Sequence, residues 1–258
     1  FSRAGRGIQL TPVGEVLLGR ARLLRGASEE ALREVHDFAQ GNAGHVRIGS
    51  GPIAADHVLP ALCQLLLREA PSTTIDITVG PSMALRQQLS EGSIDLLIGL
   101  VPVSDALFQT HPISEDAVVV ATSPQHPVFA LPQVSLQALL DYGWALPAVS
   151  IPSRQWLDAV FQSRGLPLPR VQVSANSIPL LPALIARTGL LSFVSRRTLS
   201  DSRHGVLKEV PLPETTLIRT LGVTHRRGGY LSPAARRLVS LLQVYGESLA
   251  AEGMVHLP

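Results

Sequence analysis

A chain of 258 residues that is 45% hydrophobic and 16% charged can build a sizeable core, which excludes a disordered polymer. Its 20 prolines and 21 glycines follow no three-residue period, excluding collagen, and its single cysteine, Cys63, excludes an internal disulfide and fits a reducing compartment. The formal net charge of +2 excludes a whole-molecule basic field, so any contact with nucleic acid must come from a local patch. Lys208 is the only lysine among 22 Lys and Arg, a compositional habit before it is a sign of phosphate recognition.

Phe1 to Gly7 is short, basic and glycine-rich, carrying Arg3, Gly5, Arg6 and Gly7. Thr11-Pro12 then offers an N-cap followed by proline at the first helical position. A helical pattern runs to about Gln40 and is stopped by Gly41-Asn42-Ala43-Gly44. Leu10, Leu17, Leu24, Ala31 and Phe38 recur every seven residues, with Gly14, Ala21, Ser28 and Val35 beside them. This narrow seam predicts packing against a partner helix.

From Val46 strands alternate with helices, which predicts parallel sheet with helices on its faces. VRIGS (46–50) reads as a strand and is followed by a helix to about Glu69. TIDITVG (74–80), a helix over Met83–Glu91 and IDLLIGL (94–100) come next. LFQTHPI and AVVVAT read as two further strands, then a helix near Leu136–Leu140 and the strand GWALPAV. A helix near Arg154–Arg164 leads to RVQVSAN (170–176), a helix over Ile178–Arg187 and LLSFVS (190–195). VLKEVPL (206–212) and LIRTLGVTH (217–225) are predicted strands, and Ser232-Pro233 caps a last apolar helix.

Catalytic motifs are missing: there is no HExxH, CxxC, GxxxxGK[ST] or GxSxG. The eight histidines form no same-face pair, and His57, His111 and His225 read as hydrogen-bonded structural residues near strand ends. No enzyme activity, metal site or cofactor is expected. Cys63 reads as a small core residue. Glu115 and Asp116 are adjacent on a strand, so they point to opposite faces, and surface placement is expected for the pair. Gly49-Ser50-Gly51-Pro52-Ile53-Ala54 matches a dinucleotide-binding fingerprint. The acidic residue that such a site requires at the end of the second strand is not there, because Asp76 sits mid-strand. What survives is a helix N-terminus suited to an anion.

FSRAGRGIQLTPVGEVLLGRARLLR resembles the end of the winged helix-turn-helix and the linker helix of LysR-type transcriptional regulators. Phe1, Arg3, Arg6, Leu10, Thr11 and Gly14 stand in the pattern of that family. GHVRIGS, VLPALCQLLLREAP, LRQQLSEGSIDLLIGL, EDAVVVATSPQHPV and LSPAARRL follow in the family's order. The resemblance implies an α/β chain with two lobes of the type II periplasmic-binding-protein fold, preceded by a long linker helix. Residues 1–10 would be the remnant of a DNA-binding wing and 11–41 the linker, or dimerisation, helix. Segments 46–119 and 224–253 would form effector-binding lobe I, and 120–223 lobe II, with hinges near Ala121 and Gly222. One departure is Arg187-Thr188-Gly189, where the family has Gly-x-Gly, which puts the local turn in question.

The resemblance also implies a ligand-responsive bacterial regulator whose DNA-reading helix lies upstream of Phe1. DNA is the expected partner, with Arg3 and Arg6 on its backbone or minor groove. A homodimer or homotetramer is expected through Leu17, Leu24, Ala31 and Phe38. Ligands of such folds meet strand C-terminal ends between the lobes. Four segments pair a strand end with a helix start: Ser50–Ala54, Gly80–Met83, Ser150–Arg154 and Ser174–Ser177. The predicted effector site comprises Ser50, Gly51, Pro52, Ile53, Ser82, Met83, Ser150, Asn176 and Ser177, for a small carboxylate-bearing organic acid. Its anionic group is expected near Ser50 or Asn176. The alternative for these polar residues is helix capping. A solute-binding protein for a transporter is the competing function, disfavoured by residues 1–45. No run approaches the roughly 18 apolar residues of a membrane span, no secretory signal is seen, and a cytoplasmic protein without a membrane partner is expected.

Overall fold

The computed structural model describes the chain apart from residue 6 and segments 41–43, 102–104, 201–205 and 252–258. In chain order the elements are β1 (Ser2–Ala4), β2 (Gly7–Gln9), α1 (Pro12–Gln40), β3 (His45–Ser50), α2 (Pro52–His57), α3 (Leu59–Glu69), β4 (Thr74–Val79) and α4 (Ser82–Glu91). β5 (Leu96–Leu100), β6 (Phe108–Thr122), α5 (Leu136–Leu139), β7 (Trp144–Pro147), α6 (Pro152–Ser163), β8 (Val171–Ala175) and α7 (Leu180–Thr188) follow. β9 (Ser192–Ser195), β10 (Lys208–Glu209), β11 (Leu217–Arg226) and α8 (Pro233–Ala251) are the last elements among the described residues.

Two compact units divide these elements, Phe1–Ile113 with Gly222–Leu249, and Ser114–Leu221. The chain changes unit inside β6 and again inside β11. The first change falls several residues before the hinge expected near Ala121. The two strands read from LFQTHPI and AVVVAT are one continuous strand, and Pro112 within it breaks the sequence pattern without ending the strand.

In the first unit, β3 is flanked by parallel β4 and β5, and β11 lies beyond β5. Val46, Ile48, Leu96 and Ile98 are fully buried, as are Leu62 and Leu66 of α3, while Leu85 and Leu89 of α4 cluster with Ile94 and with Leu97 of β5. The helix expected after VRIGS and through about Glu69 is two helices, because Pro60 at the start of α3 cannot donate an i→i−4 bond. Thr11 caps α1 as expected, its hydroxyl accepting from the Gly14 N–H at 3.1 Å. Ser232 caps α8, accepting from the Ala235 N–H at 3.1 Å and donating to the His45 carbonyl at 3.0 Å.

In the second unit, β7 and β8 are parallel, and β9 and β10 both pair antiparallel with β6. Trp144, Phe161 and Phe193 are the largest fully buried side chains, and the Trp144 indole N–H donates to the Leu139 carbonyl at 3.1 Å. β10 is only two residues of the strand expected over 206–212, since Pro211 and Pro213 have no N–H to donate. Gly189 ends α7 at φ +64°, so the single glycine of Arg187-Thr188-Gly189 suffices for the turn. Thr188 supports it, donating to the Leu184 carbonyl at 2.9 Å.

Candidate functional site

The C-terminal ends of β3 and β4 lie side by side, with Ser50 opposite Val79. The Gly80 N–H donates to the Ser50 carbonyl at 3.2 Å, and the Gly51 N–H to the Ile98 carbonyl of β5 at 3.1 Å. These bonds bring two of the predicted segments, Ser50–Ala54 and Gly80–Met83, onto one edge of the first unit. Ser82 and Met83 are exposed in the first turn of α4, while Pro52 and Ile53 are half-buried. Ser50 behaves differently. It is fully buried, and its hydroxyl is positioned to donate to the carbonyls of Ile98 (3.3 Å) and Gly51 (3.1 Å).

The second unit repeats the arrangement. Pro147 at the end of β7 pairs with Ala175 at the end of β8, and the Ala148 N–H donates to the Ala175 carbonyl at 3.0 Å. Ser150, Asn176 and Ser177 are exposed just beyond these ends. The helices that follow the four strand ends, α2, α4, α6 and α7, have no side-chain cap bond. Capping is therefore not what these serines and Asn176 do. The first-turn N–H groups of the helices lack side-chain acceptors, and the positive end of each helix dipole favours an anion there.

Sequence reasoning missed Arg154. Its side chain is 7% exposed in the first turn of α6, with Nε donating to Asp158 at 2.8 and 2.9 Å and Nη1 reaching the Pro147 carbonyl at 3.5 Å. Gln155 adds a bond to the Val149 carbonyl at 3.1 Å, so α6 grips the loop that carries Ser150. The i,i+4 spacing of Arg154 and Asp158 was the available signal.

Asp116 corrects an expectation. It points away from exposed Glu115, as alternation requires, but its carboxylate is completely buried and not at the surface. Arg219 holds one oxygen through Nε at 2.8 Å and Nη2 at 2.6 Å, and Ser195 donates to the other at 2.5 Å. Arg197 stands 3.6 Å away and also bonds the Glu115 carbonyl. Charge pairing makes this burial tolerable.

His111 and His225 stack with ring centroids 5.6 Å apart, and the Gln243 amide meets His111 Nδ1 at 2.9 Å. Burial, and secondarily the neighbouring His225, lowers the pKa of His111. Burial pushes the half-buried Cys63 thiol up, away from a reactive thiolate. No group of three metal-ligating side chains occurs among the described residues, and none of their helices is long and apolar enough to cross a membrane.

Arg3 is exposed on β1, which pairs with β2 in a hairpin turning at Gly5 (φ +60°). Arg6 lies outside the described residues, as does the side chain of Phe38. On α1, Leu17 (68%), Leu24 (72%) and Ala31 are exposed. The helix is docked on the first unit by another face. A Cβ on Gly26 would stand 2.0 Å from the Glu91 carbonyl oxygen, Arg22 pairs with Glu91 at 3.5 Å, and Arg33 with Asp95 at 4.0 Å.

Two α/β units joined by two crossing strands, with paired parallel strand ends leading into uncapped helices, define a ligand-binding module of the type II periplasmic-binding-protein fold. The LysR substrate binding domain matches residues 39–245. The chain belongs to the LysR family of transcriptional regulators and carries its effector-binding domain. It is 25% identical over 252 residues to the HTH-type transcriptional regulator GbpR of Azospirillum brasilense, covering 96% of this chain and 74% of that protein. HinK, a LysR family transcriptional regulator from Pseudomonas aeruginosa, has a TM-score of 0.67 at 26% identity, over 95% of this chain and 85% of that one. The effector binding domain of QuiR in complex with shikimate has a TM-score of 0.66 at 18% identity, over 79% of this chain and 97% of that one. The relatives are transcriptional regulators, which sets aside the transporter-receptor alternative.

Proposed function

We propose that the chain senses a small organic acid at its strand ends and thereby modulates DNA binding, without catalysis and without a cofactor. The observation that carries this reading is the set of helix N-termini at exposed strand ends that no side chain caps. QuiR, which shares the fold, binds shikimate, itself a carboxylate. Ser82, Met83, Ser150, Asn176 and Ser177 are accessible to a ligand, with Gly51, Pro52 and Ile53 contributing backbone and apolar wall. Asn176 is the favoured anchor for the anion, because the Ser50 hydroxyl is occupied by backbone carbonyls.

Self-association runs through Leu17, Leu24 and Ala31, whose exposed apolar surface needs a cover. Arg3, together with Arg6, contacts DNA phosphate or minor groove within the intact regulator, which acts in the cytoplasm as a homodimer or homotetramer. Thermal shift against a panel of small carboxylic acids, shikimate among them, and their uncharged amides tests the effector reading. Shifts specific to acids and lost in Asn176→Leu support it. Equal shifts by the amides, or unchanged shifts in Asn176→Leu and Ser82→Ala, refute it.

A further inference from the structure

We propose that Arg226 and Tyr230 form a clamp that ties the linker helix α1 to crossing strand β11, so that displacement in the strand reaches the helix. β11 enters the first unit at Gly222, four residues before Arg226. The Arg226 Nη2 donates to Glu30 of α1 at 2.6 Å, and the Tyr230 N–H donates to the other oxygen of the same carboxylate. The Tyr230 hydroxyl donates to Asp37 at 2.9 Å. Glu30 and Asp37 are two helical turns apart on one face, roughly 10 Å along the axis. Two anchors so spaced fix the rotation of a helix as well as its position, which one anchor cannot do.

Little free space surrounds the clamp. Besides the contact at Gly26, a Cβ on Gly229 would meet Arg226 Cβ at 3.1 Å and Glu30 Oε1 at 3.5 Å, and one on Gly92 would meet Arg226 Nη2 at 3.3 Å. Burial, then the Asp37 bond, raises the Tyr230 pKa to about 12, so its hydroxyl remains a donor at neutral pH. At the other end the strand is coupled to its neighbour. Thr224 and Thr110 share a hydroxyl hydrogen bond at 2.9 Å, His225 stacks on His111, and a Cβ on Gly222 would lie 2.8 Å from the His111 carbonyl oxygen. A strand held this closely cannot shift at Gly222 without moving Arg226.

The clamp extends the regulator reading, but its test uses no effector, so a negative result bears on the clamp alone. Gly222→Ala forces a local shift in β11, because the added Cβ meets backbone. Hydrogen–deuterium exchange of the 258-residue chain should then show amides of residues 26–37 exchanging several-fold faster. In an Arg226→Gln/Tyr230→Phe background, exchange there should already be raised, and Gly222→Ala should add nothing. Should Gly222→Ala fail to fold, Thr224→Val, which removes the hydroxyl bond to Thr110, is read the same way. The proposal is overturned if the strand variant changes β6 and β11 amides but not α1, or raises α1 exchange by the same factor in both backgrounds.

Discussion

Gly26→Ala opposes two effects of known sign on one helix. Alanine is a better helix former than glycine by about 1 kcal/mol, so on an isolated α1 the substitution stabilises. In the folded chain the new Cβ would stand 2.0 Å from the Glu91 carbonyl oxygen and 3.1 Å from its carbon. The obstacle is backbone at the end of α4 and cannot swing aside, so α1 must move outward. Overpacking of a close contact costs about 1–3 kcal/mol, and here the displacement also strains the Arg22–Glu91 pair at 3.5 Å. The net expectation is a loss of up to about 2 kcal/mol in docking, despite the better helix former. Gly19→Ala is the internal control, since a Cβ there meets nothing within 4 Å. Hydrogen exchange along α1 and thermal unfolding should show Gly19→Ala protecting the helix and Gly26→Ala deprotecting it. If Gly26→Ala protects α1 as well as Gly19→Ala does, the docking argument is wrong.

Leu17→Asp with Leu24→Asp places charges on the exposed seam and should lower the mass seen by sedimentation, and an unchanged mass contradicts the proposed assembly. Asp158→Ala leaves the Arg154 guanidinium, 7% exposed, without its carboxylate, and should cost about 3 kcal/mol in urea unfolding. A loss below about 1 kcal/mol means that Arg154 finds another partner. His126 is buried, its Nδ1 accepts from the Val128 N–H at 3.0 Å, and burial lowers its pKa from the ordinary 6.5. The unfolded chain therefore takes up this proton first, so stability falls as pH drops below about 6.5, and the acid-side fall in Tm should be smaller in His126→Gln. In a full-length regulator, Arg3→Ala should weaken binding to all DNA sequences alike and reduce the slope of log K against log salt by about 1. Unchanged binding at several salt concentrations counts against that contact.

The elements that the sequence made legible are those whose ends carry chemistry. Thr11-Pro12 and Ser232-Pro233 start helices because a hydroxyl and a fixed φ were needed there, and the structure uses each for that purpose. Proline acts differently in two places. Pro112 sits inside the continuous strand β6 where two strands were read, whereas Pro60 divides what was read as one helix. The strand-end segments were legible because a serine, joined by glycine, proline or asparagine, follows an apolar run at each of them. What their side chains face was not. Ser50 reads the same whether its hydroxyl meets a ligand or, as here, the Ile98 carbonyl 48 residues away. Asp116 has its partners 79 and 103 residues on, at Ser195 and Arg219, beyond the reach of any local pattern.

Helix α1 presents two faces that general rules of amphipathicity would assign the other way round. Its heptad of Leu17, Leu24 and Ala31 is what periodicity finds, and by ordinary reasoning an apolar stripe faces its own domain while the polar face meets water. Here the assignment is reversed. The covered face carries Arg22, Gly26, Glu30, Arg33 and Asp37, each placed against a fixed partner, and the leucines stand open. Residues 24 and 26, or 31 and 33, lie about 200° apart around a helix, so one helix presents both faces at once without compromise. A polar interface costs little to separate in water, whereas an apolar stripe left open is penalised by about 25 cal/mol per Å². The helix is thus bound to its own unit by contacts that can be adjusted one at a time. Its strongest unmet demand for burial points outward, where a second copy of the same seam would meet it.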